Sequence, residues 1–171
     1  MIKCSLIVAT SLDGFIAKDE HHPAFWTSKE DKKRFVQITK RAGAVVMGST
    51  TYETIGKPLK DRLNIVYSRN KKYEGVEMTQ EEPKKLLEEL EKRGYKEVAI
   101  CGGSHIYTMF MKAGVIDKIY ITIEPVIFGK GMKIFNEELF YNLKLENKKI
   151  TNTGTLFFEY SISKLPLNIN S

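Results

Sequence analysis

The spacing of apolar and polar positions changes along the chain, and the changes predict strands alternating with helices. Residues 2–9 (IKCSLIVA) form a nearly unbroken apolar run of strand length, which predicts a buried strand. Residues 10–27 are polar and irregular, with Gly14, His21, His22 and Pro23, and predict a long loop. Residues 28–41 (SKEDKKRFVQITKR) predict a helix, with Ser28 as N-cap and Asp31, three positions on, completing a capping box. Apolar runs at 44–47, 63–67, 97–101 and 117–127, and a weaker one near 75–78, predict further strands. Helices are predicted at 49–55, ended by Gly56, at 81–93, with Pro83 in its first turn and Gly94 as its stop, and at 104–113. Two last runs, 142–150 and 155–163, predict an antiparallel hairpin around Gly154.

Strand alternating with helix predicts right-handed βαβ units: an α/β fold on a mostly parallel sheet, closed by an antiparallel C-terminal hairpin. With 171 residues and no internal repeat, the chain predicts a single domain over 1–164 and a C-terminal tail at 165–171. Ligands of such sheets sit at the carboxyl ends of the strands.

Composition narrows the function classes. No apolar run approaches the roughly 20 residues that span a bilayer, and the N-terminal stretch has no small-residue cleavage site; a cytoplasmic protein without membrane contact is expected. Cys4 and Cys101 lie in apolar runs, as free buried thiols do, and His21, His22 and His105 are too scattered for a metal site. The net charge of +6 admits nucleic acid or a small anionic ligand. The aromatics sit mostly at apolar strand positions, and the Lys residues of 81–97 alternate with Glu as on a solvated helix face, which disfavours nucleic acid.

Three places carry candidate chemistry. Gly102-Gly103 with Ser104 follows an apolar strand and opens a helix, where backbone approaches a ligand closely and free N–H groups meet phosphate. A plain tight turn uses the same residues, and this is not the GxGxxG fingerprint. Asp31 and Phe35 share a helix face, so a carboxylate beside a ring could grip a flat ligand bearing an N–C–N fork; helix capping alone also accounts for Asp31. In 48–69, Thr50 and Thr51 stand at a second helix start, and Arg62 and Arg69 flank the next strand.

These segments resemble the dihydrofolate reductase family. VVMGSTTYETIGKPLKDRLNIVYSR (45–69) resembles its central motif, and VAICGGSHIYTMFM (98–111) its second glycine motif. LIVATSLDGFIA (6–17), FWTSKEDKKRF (25–35) and DKIYITIEP (117–125) fit its first strand, mobile loop, substrate helix and late strand, so the likeness runs over about 4–128. It implies the family's three-layer fold, NADPH as cofactor and dihydrofolate as substrate. Asp31 then holds the pteridine's N3 and 2-amino group, Thr122 supports that carboxylate, and Trp26 is the tryptophan of the mobile loop. Ile7, Ala9, Phe35, Ile55 and Leu59 wall the substrate, and Arg62 pairs with the glutamate α-carboxylate. Ala9, Ile16, Gly48, Ser49, Thr50, Thr51, Ser68, Arg69 and the run Cys101, Gly102, Gly103, Ser104, His105, Ile106 and Tyr107 contact the cofactor. Hydride would pass from nicotinamide C4 to pteridine C6, with N5 taking a proton from water admitted by the 17–26 loop.

The chain departs from the pattern at three points. Ser49 stands where the family has Arg or Lys for the 2′-phosphate, leaving Arg69 as the obvious cation. Phe25-Trp26 replaces Pro-Trp. PVIFGKGMKIF (125–135) and SLDGFIA resemble the same-fold reductase of riboflavin biosynthesis, whose substrate is a ribosylaminopyrimidine 5′-phosphate. The late strands, 142–163, offer an edge that would suit a homodimer.

Overall fold

The computed structural model of the protein describes residues 1–23 and 25–163. In chain order the elements are β1 (Lys3–Thr10), β2 (Phe15–Ala17), α1 (Lys29–Ala42), β3 (Ala44–Gly48), α2 (Ser49–Ile55), β4 (Leu63–Tyr67), β5 (Glu77–Thr79), α3 (Pro83–Lys92), β6 (Glu97–Ile100), α4 (Ser104–Lys112), β7 (Lys118–Ile123), β8 (Met132–Lys133), β9 (Leu143–Ile150) and β10 (Leu156–Ile162). Eight strands make one sheet in the order β5-β4-β3-β6-β1-β7-β10-β9. The pairs from β5 to β7 are parallel, and β10 pairs antiparallel with β7 and β9. The expected sheet and hairpin are thus both present; the expected tail at 165–171 lies outside the described residues.

Strand alternation makes the sheet the middle of three layers. Cys4, Leu6 and Val8 of β1 and Ala44 and Val46 of β3 face one side, where they pack with Leu86, Leu87 and Leu90 of α3 and Ile106, Tyr107 and Phe110 of α4. Ile7 of β1 and Val45 and Met47 of β3 face the other, against Ile38 and Ala42 of α1 and Tyr52 of α2. With apolar cover on both faces, the central strands carry apolar residues at every position, so 2–9 reads as a run and not an alternation.

Two features differ from expectation. The 10–27 segment is not wholly loop: Phe15–Ala17 pairs antiparallel with Met132–Lys133 in a separate two-stranded sheet. The strand foreseen over 117–127 ends at Ile123, because the next residues turn through Pro125. Every residue of β9, the last strand of the sheet, is exposed.

Candidate active site

A cleft of about 1420 Å³ opens at the carboxyl ends of β1, β3, β4 and β6. Its floor is Gly102-Gly103. Gly48 N–H donates to the Gly102 carbonyl at 2.8 Å and Cys101 N–H to the Val46 carbonyl at 2.8 Å, which locks the ends of β3 and β6 side by side. A Cβ on Gly102 would lie 2.9 Å from Tyr107 Oη, and φ at this residue is +109°, so only glycine fits. Tyr107 is itself fixed, its hydroxyl donating to the Ile7 carbonyl at 2.7 Å. Helices α2 and α4 begin at Gly48 and Gly103, and neither start has a side-chain cap. Both therefore turn unspent backbone N–H groups to the cleft. Ser49, Thr50 and Thr51 line the same wall, with Ser104, His105 and Ile106 beside them and Ser68 and Arg69 at its far end. Burial pushes the Cys101 thiol up to about 12, so it is a neutral wall group at physiological pH.

The opposite wall comes from α1 and β1. Asp31 and Phe35 face the cleft one helical turn apart, with Ile7, Ala9, Ile16, Trp26 and Ile55 around them. Thr27 donates to Asp31 Oδ2 at 2.5 Å. Burial holds the Asp31 carboxyl above its ordinary range; the Thr122 and Thr27 hydroxyls and the Arg34 guanidinium oppose the rise, and the Glu124 carboxylate adds to it. Thr122 is buried beneath the wall and does not line the cleft. Its hydroxyl accepts from Arg34 Nη1 at 3.2 Å, which leaves its own O–H for Asp31.

Of the other residues expected here, Leu59 and Arg62 do not line the cleft. Arg62 is held nearby in a turn, its Nε donating to the Lys60 carbonyl at 2.8 Å and Nη1 to Thr39 Oγ1 at 2.6 Å. Asn64 ties that turn through the Leu59 and Arg62 carbonyls. Arg62 thus keeps unspent N–H donors on a prearranged side chain.

Several site residues were not foreseen. Lys32 lines the cleft beside Asp31, and Gly131, Met132, Lys133 and Phe135 supply a further wall. Arg34 donates to the carbonyls of Ile121 at 3.0 Å and Phe158 at 2.9 Å and lies over the Phe157 ring at 4.6 Å, so it pins α1 to β7 and β10. The expected capping box is only half formed: Asp31 N–H donates to Ser28 Oγ at 3.2 Å, but the Ser28 N–H goes to Glu124 Oε1 at 2.9 Å. Asp31 is drawn to Thr27 instead, and an acid 96 residues away takes its place. The 10–27 segment is braced as well as paired. Asp13 accepts the N–H groups of Phe128 and Gly129 at 3.1 and 2.6 Å, and Trp26 donates to the Ile16 carbonyl at 3.1 Å and packs on Phe128. Among the described residues no group of His, Cys, Asp and Glu could hold a metal ion, and no helix is long and apolar enough to cross a membrane.

The sequence model of dihydrofolate reductase matches residues 3–156. The chain belongs to the dihydrofolate reductase family. It is 35% identical to the dihydrofolate reductase of Haemophilus influenzae over 69% of each chain. It is also 29% identical to a putative dihydrofolate reductase of Caenorhabditis elegans over 94% of this chain and 95% of that one. Solved structures share the fold at lower identity. Dihydrofolate reductase from Enterococcus faecalis, complexed with NADP(H), has a TM-score of 0.76 at 23% identity, covering 95% of this chain and 97% of that one. RibD of Acinetobacter baumannii has a TM-score of 0.79 at 18% identity, covering 96% of this chain and 59% of that one. Membership of this family makes the chain an oxidoreductase by descent, and the cleft lies where its fold places ligands.

Proposed function

We propose that the protein is an NADPH-dependent reductase of dihydrofolate, converting it to tetrahydrofolate. The observation that carries this reading is the half-buried Asp31 carboxyl on one wall of the cleft, facing a glycine floor with two uncapped helix starts. The floor fits a dinucleotide: Gly102 admits no side chain, so the backbone there stays open to phosphate. Gly48, Ser49, Thr50 and Thr51, with Gly102 to Tyr107, Ser68 and Arg69, would hold the cofactor, and Arg69 would meet its 2′-phosphate. When bound, the cofactor supplies the hydride.

The chain's own groups do the rest. Asp31 binds the N–C–N fork of the pteridine through paired hydrogen bonds and so fixes its face and register. Phe35, Ile7 and Ile55 sandwich the ring system, and Arg62 receives the carboxylate tail. Thr27 and Thr122 hold Asp31 in one rotamer. The substrate gains a hydride at C6 and a proton at N5, the proton coming from water that passes the 17–26 segment. Burial of Asp31 favours protonation at this wall.

A second reading is favoured by the wall at 131–135 and its pairing with Phe15–Ala17. That segment resembles the riboflavin-pathway reductase, which would take a ribosylaminopyrimidine 5′-phosphate in the same cleft. Loss of absorbance at 340 nm separates the two, using NADPH with dihydrofolate or with the pyrimidine. Oxidation that depends on dihydrofolate supports the first reading. Oxidation with the pyrimidine alone overturns it in favour of the second.

A further inference from the structure

Glu124 is 5% exposed, yet among the described residues it has no cationic partner. Its oxygens accept three hydrogen bonds: Oε1 from Ser28 N–H at 2.9 Å and Ser28 Oγ at 2.7 Å, and Oε2 from Thr155 Oγ1 at 2.8 Å. Three donors are thus aimed at two oxygens. The backbone fixes the direction, because Glu124 N–H donates to the Thr10 carbonyl at 2.8 Å where β1 ends. Thr122 in β7 and Glu124 just past its end both reach the start of α1. One meets Asp31; the other grips the N-cap three residues before it.

We propose that Glu124 is a positioning residue of this site: it holds through Ser28 the helix start that presents Asp31, and it sets a second carboxylate beside that carboxyl. The role rests on Asp31 being the substrate's anchor. The groups facing Asp31 from each packed element are few. Thr27 and Ser28 come from the approach to α1, Arg34 from its next turn, Thr122 from β7, Glu124 from the residue after it, and Tyr107 from α4. Arg34 donates through Nη1 to Ile121 and Thr122 and through Nη2 to Phe158, and forms no ion pair with Asp31 among the described residues. Glu124 therefore opposes ionisation of Asp31, while the Arg34 guanidinium favours it without a direct ion pair.

The test is the titration of Asp31 in the ligand-free protein, followed by 13C NMR of labelled aspartate carboxyls and assigned by the signal lost in Asp31→Asn. Glu124→Gln keeps an acceptor for Ser28 and removes the charge. The Asp31 midpoint is expected to move to lower pH in Glu124→Gln and to return toward wild type in Glu124→Asp. An unmoved midpoint in folded Glu124→Gln overturns the electrostatic role. Turnover profiles against pH separate this from the reading of the active site. A midpoint that moves while the turnover profile stays put keeps Glu124's effect and overturns Asp31 as anchor. Ser28→Ala removes one of the two Ser28 contacts to Glu124 together with the hydroxyl that caps the Asp31 N–H, and is expected to lower turnover. Unchanged turnover in Ser28→Ala overturns the positioning role, even where Glu124→Gln yields no folded protein.

Discussion

Gly102→Ala tests the cleft floor most severely, because two independent penalties fall on one methyl group. The backbone at Gly102 has φ of +109°, where an L side chain costs about 1–3 kcal/mol. The new Cβ also lies 2.9 Å from Tyr107 Oη, 3.0 Å from its Cζ and 3.2 Å from its Cε2. Tyr107 cannot yield freely, since it is buried and its hydroxyl holds the Ile7 carbonyl at 2.7 Å. Overpacking of this kind costs about 1–3 kcal/mol more. The sum, about 2–6 kcal/mol, is a large part of a normal domain's stability and should lower Tm by roughly 5–20 °C. Thermal unfolding followed by circular dichroism measures it. Tyr107→Phe alone should cost about 1 kcal/mol through the lost hydrogen bond. The double variant should be less destabilised than the sum of the singles, because removing the hydroxyl removes the nearest clash. A Gly102→Ala protein melting within about 2 °C of wild type would refute the reasoning, since that is under 1 kcal/mol for a chain of this size.

Other consequences can be measured in the same way. Asp31 is an acid whose proton is held more tightly in the folded than in the unfolded chain. Its ionisation therefore costs stability, increasingly as pH rises above the ordinary carboxylate range of about 4. Asp31→Asn should thus raise stability to urea at pH 7.5, with the gain vanishing near pH 3; a loss at pH 7.5 would contradict the sign. Gly131→Ala drives a Cβ into the Ala17 carbonyl and should break the pairing of Phe15–Ala17 with Met132–Lys133. Hydrogen exchange should then quicken at 15–17 and stay unchanged in β1. Ser49→Arg restores a cation at the helix start, and should improve NADPH over NADH binding roughly tenfold through one charge-assisted hydrogen bond. Isothermal calorimetry with both nucleotides checks it.

Local signals made much of this protein legible. Ser28 stood at the start of α1 and Gly56 at the end of α2, and the apolar runs of β1, β3, β4 and β6 marked a sheet covered on both faces. The glycine pair and the Asp31–Phe35 spacing pointed to residues that meet across one cleft. The remainder depends on partners distant in sequence. A capping box is read from four consecutive residues, whereas the acid that completes this cap is Glu124. The short strand at Phe15–Ala17 has no alternation long enough to notice, and exists because Met132–Lys133 lies beside it. Arg34, on a helix rich in charge, looks like a solvated residue until the carbonyls of Ile121 and Phe158 are seen to claim it.

The central claim is that Asp31 anchors the substrate while the glycine floor holds the cofactor, so one substitution should separate the two. Asp31→Asn removes the charge from two hydrogen bonds worth about 1.5–3 kcal/mol each. Steady-state reduction of dihydrofolate by NADPH should therefore fall roughly 10²–10⁴-fold in kcat/KM. NADPH affinity, read from quenching of the single tryptophan, Trp26, should stay within about twofold of wild type. Turnover within threefold of wild type in that variant, or loss of NADPH affinity in step with turnover, would contradict the account.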